Sequence, residues 1–153
     1  LKPEYVIDAI AGDASGNFPP QISFQENGPM GHGPAGITAG PLKAKVGQPL
    51  TVDAWVKDDG VGSALLAMFM GGGDRKLPVT VKWLKQQGPG EVVFTEPTAK
   101  VPVEGGKAST QATFAKAGDY LLRAQVNEFS GEMTAGHAEC CWTNGFVKVT
   151  VSN

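Results

Sequence analysis

The sequence predicts an all-β fold, namely an antiparallel β-sandwich of about seven strands with long loop insertions. Apolar and polar residues alternate with a period of two in several short segments, and the clearest example spans residues 50–57. The 21 glycines and 11 prolines divide these segments into lengths typical of strands joined by turns. No segment carries the apolar period of a helix of normal length. Short strands at this spacing indicate two packed sheets.

The predicted strands follow one another through most of the chain. They span residues 21–25, 43–46, 50–57, 79–84, 92–94, 109–114, 120–126 and 146–151. Gly88-Pro89-Gly90 predicts a tight connection between two of them. The sequence Val-Pro-Val at 101–103 indicates an edge segment, because proline cannot donate a hydrogen bond to a strand ladder.

Two parts of the chain are distinguished by their composition. Residues 1–19 are predicted to form an N-terminal tail or docking segment with an apolar cluster of Tyr5, Val6 and Ile7. Residues 20–153 are predicted to form one sandwich domain. A domain of this size can bury a core without disulfide staples.

The charge distribution bears on the class of partner. The formal net charge is −2, and no basic stripe appears in the sequence. Nucleic acid is therefore not expected as a partner. No apolar run has the length needed to span a bilayer, so no membrane span is expected.

Three insertions interrupt the strand pattern. Residues 27–41 contain five glycines and three prolines and are predicted to form a long surface loop, and residues 127–143 are predicted to form a second one. The third insertion, 64–74, is apolar and is predicted either to pack on the core as a helical turn or to bind a protein partner. The partner-binding candidates in this insertion are Leu65, Leu66, Met68, Phe69 and Met70.

Four motifs resemble those of the polycystic-kidney-disease (PKD) and PKD-like immunoglobulin-type domains. They are Val81-Lys82-Trp83, the segment Gly88–Phe94, the segment Phe114–Val126 with its Gly118-Asp119-Tyr120, and the final alternation Val147–Val151. The resemblance covers about residues 20–153 and is best over 79–126. It departs from the family at the 64–74 insertion and in the long loop with adjacent cysteines.

The resemblance implies an extracellular or periplasmic module that serves as a spacer, adhesion unit or accessory binding domain and is rarely catalytic. It also implies structural roles for Trp83, which would pack the core, and for Tyr120, which would begin the penultimate strand. The aromatic residues Trp55, Phe94 and Phe114 are likewise predicted to lie in the core.

Cys140 and Cys141 are adjacent, and they are followed by Trp142. A disulfide between neighbours would hold their Cα atoms about 3.8 Å apart, below the usual range of about 4.4–6.8 Å. Such a vicinal disulfide would form a rigid turn, and with Trp142 it would offer a stacking platform for a carbohydrate or another small ligand. The alternatives are two reduced thiols or a purely structural turn.

The loops also contain candidate metal ligands. His137 lies three residues before Cys140, and the other loop contributes Met30 and His32. Imidazole and sulfur ligands suit copper or zinc, although the spacing matches no closed zinc site. Isolated loop histidines are more often simply solvated, and no other cofactor is expected.

The segment Asp58-Asp59-Gly60, together with Asp53 or Asp119, could also offer oxygen ligands to calcium. Asp-Gly is also a standard turn pair, and the turn is the favoured interpretation.

No catalytic motif is present: the sequence lacks a nucleophile elbow and a phosphate loop. The leading hypothesis is a non-catalytic, extracytoplasmic protein-interaction or assembly module, an accessory subunit of a larger envelope or surface complex. The alternatives are a carbohydrate-binding or small-ligand module that uses Cys140, Cys141 and Trp142, and a metal-binding protein that uses His32 and His137.

Overall fold

The computed structural model describes residues 18–61, 77–128 and 142–153. These residues form ten strands: β1 (Gln21–Ser23), β2 (Gly31–His32), β3 (Ile37–Lys45), β4 (Leu50–Lys57), β5 (Val79–Gln87), β6 (Val92–Phe94), β7 (Thr98–Val101), β8 (Gly106–Phe114), β9 (Gly118–Asn127) and β10 (Trp142–Ser152). They make two five-stranded sheets. The first sheet has the order β2-β1-β4-β8-β6, and the second has the order β3-β10-β9-β5-β7.

This strand order is that of an immunoglobulin-like β-sandwich. If β1, β4, β5, β6, β8, β9 and β10 are taken as strands A to G, the first sheet contains the order A-B-E-D and the second the order G-F-C. Strands β2, β3 and β7 are additions at the sheet edges. The predicted fold class is therefore confirmed.

The sheet edges differ from the sequence prediction. Residues 27–41 are not one continuous loop, because they contain β2 and the first part of β3. Strand β3 pairs with β10 in parallel, whereas the prediction was antiparallel throughout. Gly40 and Pro41 are accommodated because β3 is an edge strand and the β3–β10 register shifts between Val147 and Val149. Strand β10 also begins at Trp142, four residues before the predicted start.

The core lies between the sheets and is built mainly from valines. Its largest fully buried side chains include Trp83 on β5, Phe114 on β8 and Leu122 on β9. Phe94 packs partly buried against this core. The prediction for Trp55 was wrong: its neighbours Ala54 and Val56 point inward, so Trp55 lies half-buried on the outer face of the first sheet.

Tyr120 fixes the corner where β9 begins. Its hydroxyl donates to the backbone oxygen of Lys116 at 2.8 Å, and its ring packs edge-on against Phe114 with centroids 4.8 Å apart. This is the tyrosine corner of immunoglobulin-like sandwiches. Gly88 and Gly90 leave room for the ring and the hydroxyl.

No helix in the described part of the chain is long and apolar enough to cross a membrane.

Candidate interaction surface

The outer face of the second sheet gathers most of the positive charge of the described residues. Side chains along a strand alternate between the two faces, so residues between the buried positions of β5, β9 and β10 point outward. This face carries six cations from five strands, which we call the cationic face: Lys43, Lys45, Lys82, Lys100, Arg123 and Lys148. All five lysines are exposed.

The charge is strongly one-sided. Six of the ten lysines and arginines in the described residues lie on this face, against one of the nine acids there, Asp119. Asp119 accepts a hydrogen bond from the Thr150 hydroxyl at 2.8 Å. Among the described residues, none of the five lysines has an ion-pair partner. The molecule is thus locally positive although its formal net charge is −2.

Apolar side chains surround Arg123 in the middle of this face. Phe146 on β10 lies opposite Arg123 on β9, and Arg123 lies opposite Leu84 on β5. Leu121 is the next outward residue along β9. Phe146, Leu84 and Leu121 are half-buried. These three side chains surround Arg123, and we call them the apolar centre. The lysines lie on both sides of it, along a diagonal row that passes through Arg123.

Hydrogen bonds restrain Arg123. Its Nε donates to Oδ1 of Asn144 at 2.8 Å. Asn144 in turn donates from Nδ2 to the backbone oxygen of Pro34, also at 2.8 Å. The connection between β2 and β3 therefore holds the side chain that orients the guanidinium. A side chain fixed in this way loses less conformational entropy when it makes a contact.

A shallow groove of about 350 Å³ lies on the same face where β9 and β10 reach the Gly40-Pro41 irregularity of β3. Its lining residues include Pro41, Gln87, Asp119, Leu121, Lys148 and Thr150. Groove and apolar centre share Leu121, so they form one continuous surface.

On the outer face of the first sheet, Lys107 and Asp53 are paired with each other. Lys107 forms an ion pair with Asp53 at 3.1 Å and lies 5.5 Å from the ring centroid of Trp55. The hydroxyl of Ser109 donates to the other carboxylate oxygen of Asp53. This network satisfies Asp53 and Lys107 internally, and Lys57 is the exposed lysine of β4 that lies outside it.

The segment Asp58-Asp59-Gly60 forms a hydrogen-bonded turn. The backbone N–H of Gly60 donates to Oδ2 of Asp58 at 2.9 Å, and that of Val61 donates to Oδ1 of Asp59 at 2.8 Å. Burial raises the pKa of Asp58 to about 6, the hydrogen bond from Gly60 opposes this shift, and the negative charge of Asp59 adds to it. Oδ1 of Asp58 is buried without a hydrogen-bond partner in the described part of the structure.

Calcium ligation by this turn is not supported by the geometry. Asp53 and Asp119 lie on the outer faces of different sheets. The described residues contain no group of three or more histidines, cysteines or carboxylates that could hold a metal ion. The turn interpretation therefore fits residues 58–60.

Several candidate residues lie outside the described residues: Tyr5, Val6, Ile7, Leu65, Leu66, Met68, Phe69, Met70, His137, Cys140 and Cys141. Partner binding by the first eight of these residues stays a prediction. So do copper or zinc binding by His137 and ligand or carbohydrate binding by Cys140 and Cys141. Trp142 is the first residue of β10 and is half-buried on the outer side of the second sheet. His32 on β2 and Met30 just before it are exposed.

Comparisons with known proteins find likeness of fold only. Neither a protein-family model nor a curated protein matches the chain. Among solved structures, the PapD-like domain 7 of human CEP192 is 7% identical with a TM-score of 0.47, covering 90% of this chain and 87% of that one. The D00-D0 domain of intimin is 17% identical with a TM-score of 0.44, covering 76% and 45%.

Domains 4 and 5 of the S-layer protein SbsC are 10% identical with a TM-score of 0.41, covering 75% of this chain and 49% of that one. The chain thus spans about half the length of the intimin and S-layer chains that it matches.

Proposed function

We propose that this protein is a non-catalytic, extracytoplasmic protein-interaction module of the PKD-like immunoglobulin type, and that the outer face of its second sheet is the docking surface. The observation that carries the proposal is the group of half-buried apolar side chains around Arg123, namely Leu84, Leu121 and Phe146, with exposed lysines next to it. Protein interfaces combine an apolar centre with a polar rim in the same way. The PKD resemblance supports a periplasmic or extracellular location.

The dimensions of the face suit a protein partner. Five strands about 4.8 Å apart give a width of about 19 Å, and the outward residues of β9 from Asp119 to Asn127 span about 27 Å. The resulting area of about 500 Å² compares with about 800 Å² per partner in a stable interface. The face alone therefore corresponds to a transient interface, or to the central part of a larger one.

The rigidity of the face also supports docking. The centre lies on β5, β9 and β10 in the middle of the second sheet, where β9 pairs with β5 on one side and with β10 on the other. A surface on inner strands changes little when a partner binds, so less of the binding free energy is lost to ordering.

Site-specific photo-crosslinking in the native source tests the proposal. A photoreactive residue in place of Leu121 should give one discrete protein adduct, because Leu121 lies in the apolar centre. The control places the same residue at Gln111, which is exposed on the first sheet. Equal adducts from both positions, or none from Leu121, would contradict the proposal. Native mass of the purified chain separates self-assembly from a different partner.

A further inference from the structure

We infer that the partner of the cationic face is a protein with an acidic surface around an apolar patch. The inference rests on the proposed function and adds the chemistry of the partner. It follows from five exposed lysines that have no ion-pair partner in the described part of the chain, together with the single acid Asp119 among them.

The distribution of the lysines over the sheet favours an acidic partner over a second copy of this chain in a symmetric dimer. A two-fold contact through this face would bring the same patch against itself. The six cations of one copy would then oppose the six of the other, and like charges across an interface are unfavourable.

The apolar centre favours a protein over a nucleic acid. A nucleic acid presents a continuous row of phosphates, which calls for a basic stripe or groove. Here Lys43, Lys45 and Lys148 lie on β3 and β10, whereas Lys82 and Lys100 lie on β5 and β7. Arg123 on β9 joins the two groups into one diagonal row, so charge alone fits either kind of partner. The distinction comes from Phe146, Leu84 and Leu121, which flank this row. Burying these apolar side chains gains free energy only against apolar groups of the partner.

The lysines should act mainly through attraction at a distance. Screening at physiological salt has a length of about 8 Å, so exposed charges steer the encounter and their effect falls steeply as salt rises. Each exposed ion pair changes affinity by about 1.4-fold to 5-fold. Reversing the charge of two lysines removes two attractions to the partner and adds two repulsions, so the affinity is expected to fall about tenfold or more.

Two labelled synthetic peptides of sixteen residues serve as probes for the full 153-residue chain in a fluorescence anisotropy titration. One peptide alternates Glu with Leu, and the other alternates Ser with Leu. The Glu-Leu peptide should bind at least tenfold more tightly, and its advantage should shrink about tenfold between 50 and 300 mM NaCl. Equal binding of both peptides, or no binding of either, would overturn the inference.

A pair of charge-matched variants locates the binding. Lys82→Glu with Lys148→Glu should weaken Glu-Leu binding about tenfold or more. The control, Lys57→Glu with Lys116→Glu, has the same net charge but changes exposed residues away from the cationic face, and it should change binding less than threefold. Urea unfolding of both variants verifies that each is folded. An equal loss of peptide binding in both variants would mean that only the net charge of the chain matters, and this would overturn the inference.

Two further outcomes have distinct meanings. The first outcome is that a 16-base-pair DNA duplex binds more tightly than the Glu-Leu peptide and loses this binding in the Lys82/Lys148 variant. The partner would then be a nucleic acid and not an acidic protein. A crosslinked partner at Leu121 that is insensitive to the Lys82/Lys148 variant would keep the docking surface but refute the acidic partner.

Discussion

Asp58→Asn should stabilise the protein at neutral pH and remove a distinct pH dependence. Burial raises the pKa of Asp58 from 3.8 to about 6 in the folded protein. The folded state therefore keeps the proton more tightly than the unfolded state. This stabilisation is complete below pH 4 and is lost as the pH rises through 6.

The full shift corresponds to about 3 kcal/mol at 1.36 kcal/mol per pKa unit. Asp58 is only partly buried, so solvent screening reduces this to about 1–2 kcal/mol. The structural origin of the cost is the buried Oδ1, which has no hydrogen-bond partner among the described residues. At pH 7, Asp58→Asn should therefore raise the free energy of unfolding by about 1–2 kcal/mol.

The assay is urea unfolding of wild type and Asp58→Asn at half-unit steps from pH 4 to pH 7.5, with the difference between the two curves as the readout. The difference should be near zero at pH 4 and should grow to its full value above pH 6. Asp59→Asn keeps the buried carboxyl of Asp58 and removes the neighbouring negative charge that helps to raise its pKa. The free energy of unfolding of this variant should therefore still fall as the pH rises, but the fall should occur at lower pH than in wild type. A difference curve that is flat, or that grows toward low pH, would refute the assignment of the buried charge.

Three further predictions concern tight packing. Tyr120→Phe should lower the free energy of unfolding by about 1–2 kcal/mol in a urea titration, because the 2.8 Å bond to the backbone oxygen of Lys116 is lost; an unchanged midpoint would contradict this role. Gly36→Ala should cost about 3 kcal/mol or more, since the new Cβ would clash with the backbone oxygen of Asn144. The control Gly33→Ala should cost only about 1–2 kcal/mol, because its φ is also positive but its surroundings are open. Trp83→Phe should lower the free energy of unfolding by less than about 1.5 kcal/mol in thermal unfolding, well below the loss of about 3–5 kcal/mol expected for Trp83→Ala. The reason is that the buried indole N–H has no hydrogen-bond partner in the described residues, so its removal offsets part of the lost packing.

The sequence predicted the inner strands well because their signal is local. The alternation of β4, with Val52, Ala54 and Val56 inward, reads directly from neighbouring residues. The edges were predicted only in part: residues 43–46 were predicted as a strand and 101–103 as an edge segment, but β2 and the first part of β3 were not predicted. Ile37 to Pro41 read as loop because Gly40 and Pro41 break strand propensity, and only the pairing of β3 with β10 makes them a strand.

The cationic face could not be found by a search for a basic stripe. Its members lie up to 105 positions apart, from Lys43 to Lys148, and become neighbours only through strand order. A weaker signal was present, since Lys82 and Lys148 occupy the polar positions of predicted strands. That signal assigns a lysine to an outer face but does not say which strands share the face. Trp55 was misassigned for a related reason, because aromatic character outweighed its position in the alternation.

Protection of exposed sheet edges is the alternative explanation for this charge, and it accounts for only part of it. Lysines on edge strands discourage pairing with another chain, and Lys43, Lys45 and Lys100 lie on the outermost strands β3 and β7. Lys82, Arg123 and Lys148 lie on β5, β9 and β10, each of which has a strand on both sides. Edge protection gives no reason for cations there.

The two roles can be separated by experiment. Lys43→Val with Lys45→Val should increase self-association in analytical ultracentrifugation, because it leaves β3 as an apolar edge. Lys82→Ser with Lys148→Ser should leave the chain in its original association state, because neither strand is an edge. Its effect should instead appear as weaker binding of the Glu-Leu peptide. Self-association of the Lys82/Lys148 variant would mean that all these lysines keep copies of the chain apart, and the docking surface would then have to be sought elsewhere.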